Sequence, residues 1–312
     1  MSRIAYTEQK FRQESLAVIE HANRICAEYR TAGYDLTLRQ VYYQFVARGL
    51  LPNSDRSYKR LGSIVNDARL AGLIDWNYIT DRTRFLRSAS YWSSPSSIIE
   101  ASAQQFKRDL WTETDQRFRP EVWVEKDALV GIVGRVCDEL QVPYLSCRGY
   151  VSQSEMWSAG RRMGEHDQSG LTPIVIHLGD HDPSGLDMSR DIEERLSLFA
   201  ETPIEVQRIA LNMDQIEQYN PPPNPAKLTD SRGAGYVDLY GTESWELDAL
   251  EPTVLTDLIR DAVEPYIDRS AWDEGADVDQ EQRYRMESVA GRWDDIDERW
   301  PEVEALLDGE DR

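Results

Sequence analysis

The chain has 312 residues, 29% charged and 40% hydrophobic, with a mean hydropathy of -0.59, so length alone suggests about two domains of roughly 150 residues each. No apolar run approaches the roughly 18 residues a spanning helix needs, and the polar opening MSRIAYTEQKFRQE lacks the apolar core of a secretory signal, which predicts a cytoplasmic protein without membrane partners. Cys26, Cys137 and Cys147 are too few and too scattered for a disulfide framework or a four-ligand zinc site, and they read as small buried residues. The net charge of -21 is unevenly spread: residues 1–120 hold 18 bases and 13 acids, residues 121–312 hold 17 and 43. Thirty of the 35 bases are arginine, and the lysine-poor, acidic composition suits a salt-rich cytoplasm or a GC-rich genome.

In chain order, apolar residues at helical spacing predict a helix over Glu8 to Arg30, closed by Gly33. Thr37 can cap a second, LRQVYYQFVARG, which Gly49 and Pro52 stop. A third runs from Ser57 to Ala71, with Leu61, Ile64, Val65, Ala68 and Leu70 on one face and Lys59, Arg60 and Arg69 on the other. The segment LIDWNYITDRTRF alternates like a short hairpin. Three helices and a strand pair form a winged-helix pattern, in which the last helix enters a DNA groove and the hairpin touches backbone. Nine bases against four acids between Thr37 and Trp92 make Arg56, Lys59, Arg60, Arg69, Arg82 and Arg84 the candidate contacts to double-stranded DNA.

A serine-rich stretch around Pro95 marks a hinge, with one more helix near Ile98 to Leu110. Beyond Pro120 short apolar runs alternate with helical stretches, which predicts an α/β fold with a parallel sheet covered on both faces. The expected divisions are residues 1–95 as a winged-helix domain, 96–118 as a linker helix, 119–250 as the Rossmann-like sheet domain and 251–312 as an acidic helical extension.

Ligands of an open parallel sheet bind at the carboxyl ends of its strands. EVWVEK ends in Glu125, and TPIVIHLGDHDPSG places Asp180 and Asp182 just beyond another strand. Two carboxylates on a tight turn and a third from a neighbouring strand make an oxygen-only site suited to Mg2+ or Mn2+. His181 alternates away from them.

The block from Glu121 to about Leu250 resembles a Toprim domain, with Glu125 at its strand-end glutamate and Asp180 and Asp182 at its D-x-D. Upstream, T-L-R-Q-V-Y-Y resembles the R-x-x-[FY]-Y block of the Spo11 and topoisomerase VI A-subunit family, of which this chain would be a short phage- or archaeal-type member. The resemblance implies that Tyr43 is the nucleophile, with Tyr42 its aromatic neighbour, and that the protein makes double-strand DNA breaks with 5′-phosphotyrosyl ends. W-E-L-D-A-L, with Glu246 and Asp248, is similar to an acidic block near the Toprim end. The resemblance further implies a nucleoid-associated homodimer in which the tyrosine of one protomer meets the metal of its partner. The chain carries no Walker A sequence, so ATP-driven strand passage would need a separate ATPase subunit of B type.

The chemistry demanded agrees with these residues. A phenol ionises near pH 10, so its attack on a phosphodiester needs positive charge nearby and a cation on the phosphate. Arg39 lies four residues before Tyr43, on the same helical face, and Glu125 can handle the proton of the departing 3′-oxygen. Two other readings use the same residues: a Toprim nuclease that hydrolyses DNA with metal-activated water, and a DNA-binding protein whose site is disabled.

Overall fold

The computed structural model describes residues 3–80, 89–226 and 232–309. It opens with α1 (Gln13–Thr31), α2 (Leu38–Ala47) and α3 (Asp55–Leu70), followed by α4 (Pro95–Gln105) and α5 (Leu110–Glu113). Then come β1 (Phe118–Val124), α6 (Val130–Leu140), β2 (Tyr144–Ser146), α7 (Gln153–Gln168), β3 (Thr172–Leu178), α8 (Pro183–Ala200) and β4 (Glu205–Ala210). α9 (Met213–Tyr219), β5 (Asn224–Pro225), α10 (Gly233–Tyr240), β6 (Glu243–Ser244) and α11 (Pro252–Val263) precede the terminal helices α12 (Arg269–Gly291), α13 (Trp293–Glu298) and α14 (Trp300–Gly309). No helix among the described residues is long and apolar enough to cross a membrane.

The fold is mixed α/β, and β1 to β4 form a parallel sheet in the order β2-β1-β3-β4. Because β2 and β3 flank β1 on opposite sides, right-handed crossovers put α6 on one face and α7 and α8 on the other. The same order opens a crevice at the carboxyl ends of β1 and β3, where the chain reverses its direction of winding. α7 and α8 pack closely because Gly160 and Gly164 leave room: a Cβ on Gly164 would stand 2.7 Å from the carbonyl oxygen of Ala200.

The compact units differ from the four divisions read from sequence. One combines Met1–Phe85 with Phe118–Pro265, and the other combines Leu86–Arg117 with Tyr266–Arg312. The N-terminal helices join the sheet because their core, built on Ile25, Leu36, Val41, Phe45, Leu61 and Ile74, continues onto Ala249, and α2 packs on the turn at Leu247–Ala249. α11 likewise packs on α6 and the sheet. In the second unit, buried Asp279 of α12 receives Arg108 through its guanidinium and its backbone amide.

The hairpin expected from Leu73 to Phe85 differs in its described half. Asp75 accepts the Asn77 amide at 3.0 Å and starts a 3₁₀ turn, Trp76–Tyr78, leaving Ile79 a single bridge to Leu36. The remainder lies outside the described residues. The helix expected near Ile98 to Leu110 starts earlier, at Pro95, with Ser94 as its cap, and α5 is separate. All three cysteines are buried and unpaired, and burial pushes each thiol up to about 12.

The α7–α8 contact yields a test. Alanine normally favours a helix over glycine by about 1 kcal/mol, yet Gly164→Ala is expected to destabilise the protein by about 1–3 kcal/mol through overpacking. Chemical denaturation measures this, and a more stable variant would contradict the close approach.

Candidate functional site at the strand ends

β1 delivers Glu125 to the crevice immediately after Val124, and β3 delivers Asp180 and Asp182 through Gly179. The loop is shaped by its own carboxylates. Glu125 Oε2 accepts the Asp180 amide at 2.8 Å, and Asp182 Oδ1 accepts the amides of Ser184 and Gly185 at 3.0 and 2.7 Å, capping α8 with Pro183 in its first turn. Glycine is required at Gly185, where a Cβ would lie 2.3 Å from the Asp180 carbonyl oxygen.

A strap crosses this loop. β6 pairs with β5, His181 exchanges backbone hydrogen bonds with Trp245 at 2.8 and 3.0 Å, and the Leu247 amide donates to Asp180 Oδ1 at 2.8 Å. The W-E-L-D-A-L segment thereby brings Glu246 and Asp248 beside Asp180. Between them stands Lys126, whose Nζ lies 3.0 Å from Asp180 Oδ1, 2.9 Å from Glu246 Oε2 and 2.8 Å from Asp248 Oδ1. Burial opposes the Lys126 charge, but the three carboxylates outweigh it and its pKa rises. Burial likewise acts to raise Glu246, yet Lys126 and then Arg39 hold it down to about 2.

Arg39 extends the network to α2. It bonds Glu246 Oε2, places Nε 3.2 Å from Asp248 Oδ2, and lies over the Tyr43 ring at 5.8 Å from the centroid. The two tyrosines have different tasks. Tyr42 Oη accepts the Ser54 amide at 2.7 Å and lies within hydrogen-bond reach of the carbonyls of Pro52 and Ser54, which ties it to the turn before α3. Tyr43 is 3% exposed, bonds the Asn224 side chain and lines a cleft of about 420 Å³ with Arg39, Asn53, Asn224 and Glu246. Burial, followed by the charges of Asp248 and Glu246, raises its phenol well above the usual value, with Arg39 opposing. A second cleft of about 420 Å³ is lined by Glu125, Lys126, Arg148, Asp180 and Asp248, and it shares Arg39 and Glu246 with the first.

No protein-family model matches the chain, and no curated protein does. The resemblance to the topoisomerase VI A-subunit family therefore rests on the motifs and the chemistry they bring together.

Behind the loop stands a residue the sequence reading passed over. The Arg208 guanidinium donates to the carbonyls of Gly179, Asp180, Gly185 and Leu211 at 3.0, 2.7, 2.9 and 3.2 Å, fixing the loop from inside. Its signal is an arginine just before the apolar end of the strand in IEVQRIAL. Lys126 and Asn224 were also passed over. His181 points its Nδ1 to Tyr236 at 2.8 Å, and His177 bonds Ser189 at 2.8 Å. Of the candidate DNA contacts, Arg56, Lys59 and Arg60 are exposed on α3, with Arg60 paired to Glu14 at 3.1 Å. Arg69 instead holds the carbonyls of Trp76 and Ile79, and Arg82 and Arg84 lie outside the described residues.

As they stand, no three carboxylate, imidazole or thiolate side chains among the described residues converge closely enough to hold an ion. Asp182 caps α8 and Asp180 faces Lys126. The donor set nevertheless suits a hard divalent cation, because the acceptors at this end of the sheet are carboxylates and both nearby histidines are engaged elsewhere.

Burial, then the charges of Glu125 and Asp248, push the Asp180 carboxyl up to about 7, against the pull of Lys126. An unfolded aspartate ionises near about 3.9, so between these values the folded chain holds a proton the unfolded chain lacks. The contribution of Asp180 to stability therefore falls as pH rises through this window. Melting curves in chelator are expected to show wild type losing stability relative to Asp180→Asn between about pH 4 and 7, by at most about 1.4 kcal/mol per pH unit. A constant difference would contradict the raised value.

Proposed function

We propose that this protein cleaves double-stranded DNA by metal-dependent tyrosine transesterification, with Tyr43 as nucleophile and Glu125, Asp180 and Asp182 as the residues that would hold Mg2+ or Mn2+. One observation carries the reading: an unbroken chain of ion pairs runs from Arg39, one helical turn before Tyr43, through Glu246 and Asp248 to Lys126 and Asp180. The ion, when bound, would supply positive charge to the scissile phosphate and to the leaving oxygen.

The roles of the protein groups follow from their positions. Both tyrosines line the first cleft, but the Tyr42 hydroxyl is engaged by the backbone before α3, which favours Tyr43 as the attacking group. Its oxygen would bond to phosphorus as the 3′-oxygen departs, leaving the 5′-phosphate on the tyrosine and a proton for the 3′-hydroxyl. Arg39 would neutralise the phosphate or phenolate, and Glu125 would hold or return the proton. Arg56, Lys59 and Arg60 would meet the DNA backbone from α3. In this reading the tyrosine of one protomer would meet the metal carboxylates of its partner, as the resemblance implies. A symmetric homodimer would serve to cut both strands, and ATP-driven strand passage would still call for a separate B-type subunit.

A second reading has its own observation. Tyr43 is buried and its proton is held tightly, an arrangement compatible with hydrolysis by metal-activated water, in which the carboxylates act without the tyrosine.

Incubation with supercoiled plasmid and Mg2+, stopped with detergent with and without protease, separates the readings. The expected product is protein-linked DNA from wild type and from Tyr42→Phe, and none from Tyr43→Phe, which retains DNA affinity because only the hydroxyl is lost. Free ends that persist in Tyr43→Phe would establish hydrolysis instead. Absence of breaks at all metal concentrations would leave a DNA-binding protein.

A further inference from the structure

The Lys126 ammonium has three N–H donors and three carboxylate partners from two separate segments: Asp180 on the loop after β3, and Glu246 and Asp248 on the strap. It is thus seated as a cation in an anionic cradle, adjoining Glu125 and Asp182. In two-ion phosphoryl-transfer centres a second ion about 3.5–4 Å from the first occupies a seat of this kind and needs carboxylates of its own. Here the carboxylates available for that purpose are committed. Glu246 is shared between Lys126 and Arg39, and Asp248, 2% exposed, is ion-paired through Oδ1 with Lys126 at 2.8 Å and through Oδ2, which accepts no hydrogen bond, with Arg39 at 3.2 Å.

Charge balance points the same way. Glu125, Asp180, Asp182, Glu246 and Asp248 provide five carboxylates against the three cations Arg39, Lys126 and Arg208. Among the described residues, and with all five carboxylates ionised, these groups are short of neutrality by two positive charges, which one divalent ion supplies. Asp127 and Arg148 on the cleft wall pair with each other at 3.0 Å and do not alter the balance.

We infer that Lys126 is a tethered cation filling the second seat of the centre, so that the protein takes one divalent ion and not two. The inference rests on the preceding reading that Glu125, Asp180 and Asp182 hold an ion, and it adds how many ions bind and what sets the number. Lys126 is a positioning residue here: it orients Asp180 and keeps Glu246 and Asp248 from recruiting metal.

Mn2+ titration followed by electron paramagnetic resonance of the free ion, in about 0.2 M salt to screen the acidic surface, reads the number directly. Wild type is expected to bind one ion. Lys126→Met, shown to be folded by circular dichroism, is expected to acquire a second, at least about tenfold tighter than any second binding to wild type. Two ions of similar affinity on wild type, or one ion on folded Lys126→Met, would overturn the inference while leaving the metal centre standing. Absence of binding to wild type would overturn the metal centre itself. Should Lys126→Met not fold, two milder variants decide: Asp182→Asn, which keeps a capping side chain, is expected to weaken Mn2+ by more than about tenfold and Asp248→Asn by less than about threefold. Equal losses would place the ion on the strap carboxylate Asp248 as much as on Asp182 and overturn the inference.

Discussion

The Lys126 ammonium among Asp180, Glu246 and Asp248 is the interaction on which the rest of this site depends. Carboxylates this close would repel one another if left alone in a buried setting, and the structure keeps them together by placing fixed cations between them. Removing one member of such a buried arrangement typically costs about 3–5 kcal/mol, because a charge is left without its partner. The same lysine links three parts of the chain: the end of β1, the loop after β3 and the strap after β6. With Arg39 it adds a fourth, the helix that carries Tyr43. The connection between the N-terminal helices and the sheet is therefore electrostatic at the site and apolar away from it, where Ala249 meets the core of α1 to α3.

Topology explains why this happens at one place. With β1 and β3 adjacent at the reversal of strand order, the residue after β1 and the turn after β3 must open into the same crevice. Arg208 secures that turn from beneath by occupying its backbone carbonyls, and burial pushes the pKa of its guanidinium down to about 10 against the pull of the surrounding carboxylates. The loop is thus held by cations on two sides, Arg208 on its backbone and Lys126 on its side chains. Such a cage fixes where the carboxylates sit before any ligand arrives.

Much of this was legible in the residues. Glu125 at a strand end and D-H-D-P-S-G after another strand located the crevice, since strand ends and helix starts have strong local signals in proline, glycine and aspartate. The alternation of apolar runs with helical stretches gave the parallel sheet. Lys126 was not legible as a functional residue, because its three partners lie 54 to 122 positions away and their convergence is set by the strap across the loop. Arg208 was hidden for a related reason: its partners are backbone carbonyls, which leave no trace in side-chain patterns. The hairpin after α3 was misread where alternation in a short segment competes with a capping aspartate, and Asp75 favours a turn there. The divisions of the chain were drawn at compositional boundaries, whereas compactness follows contacts between distant segments.

The account stands or falls on whether Tyr43 and the carboxylates act as one site. The most direct measurement is tandem mass spectrometry of the protein after reaction with DNA, nuclease trimming and proteolysis, with Mg2+ or with chelator. The account predicts a residual nucleotide on Tyr43 when Mg2+ is present and none in chelator. A nucleotide on another residue, an adduct that forms without the metal, or cleaved DNA with no adduct at all would contradict it.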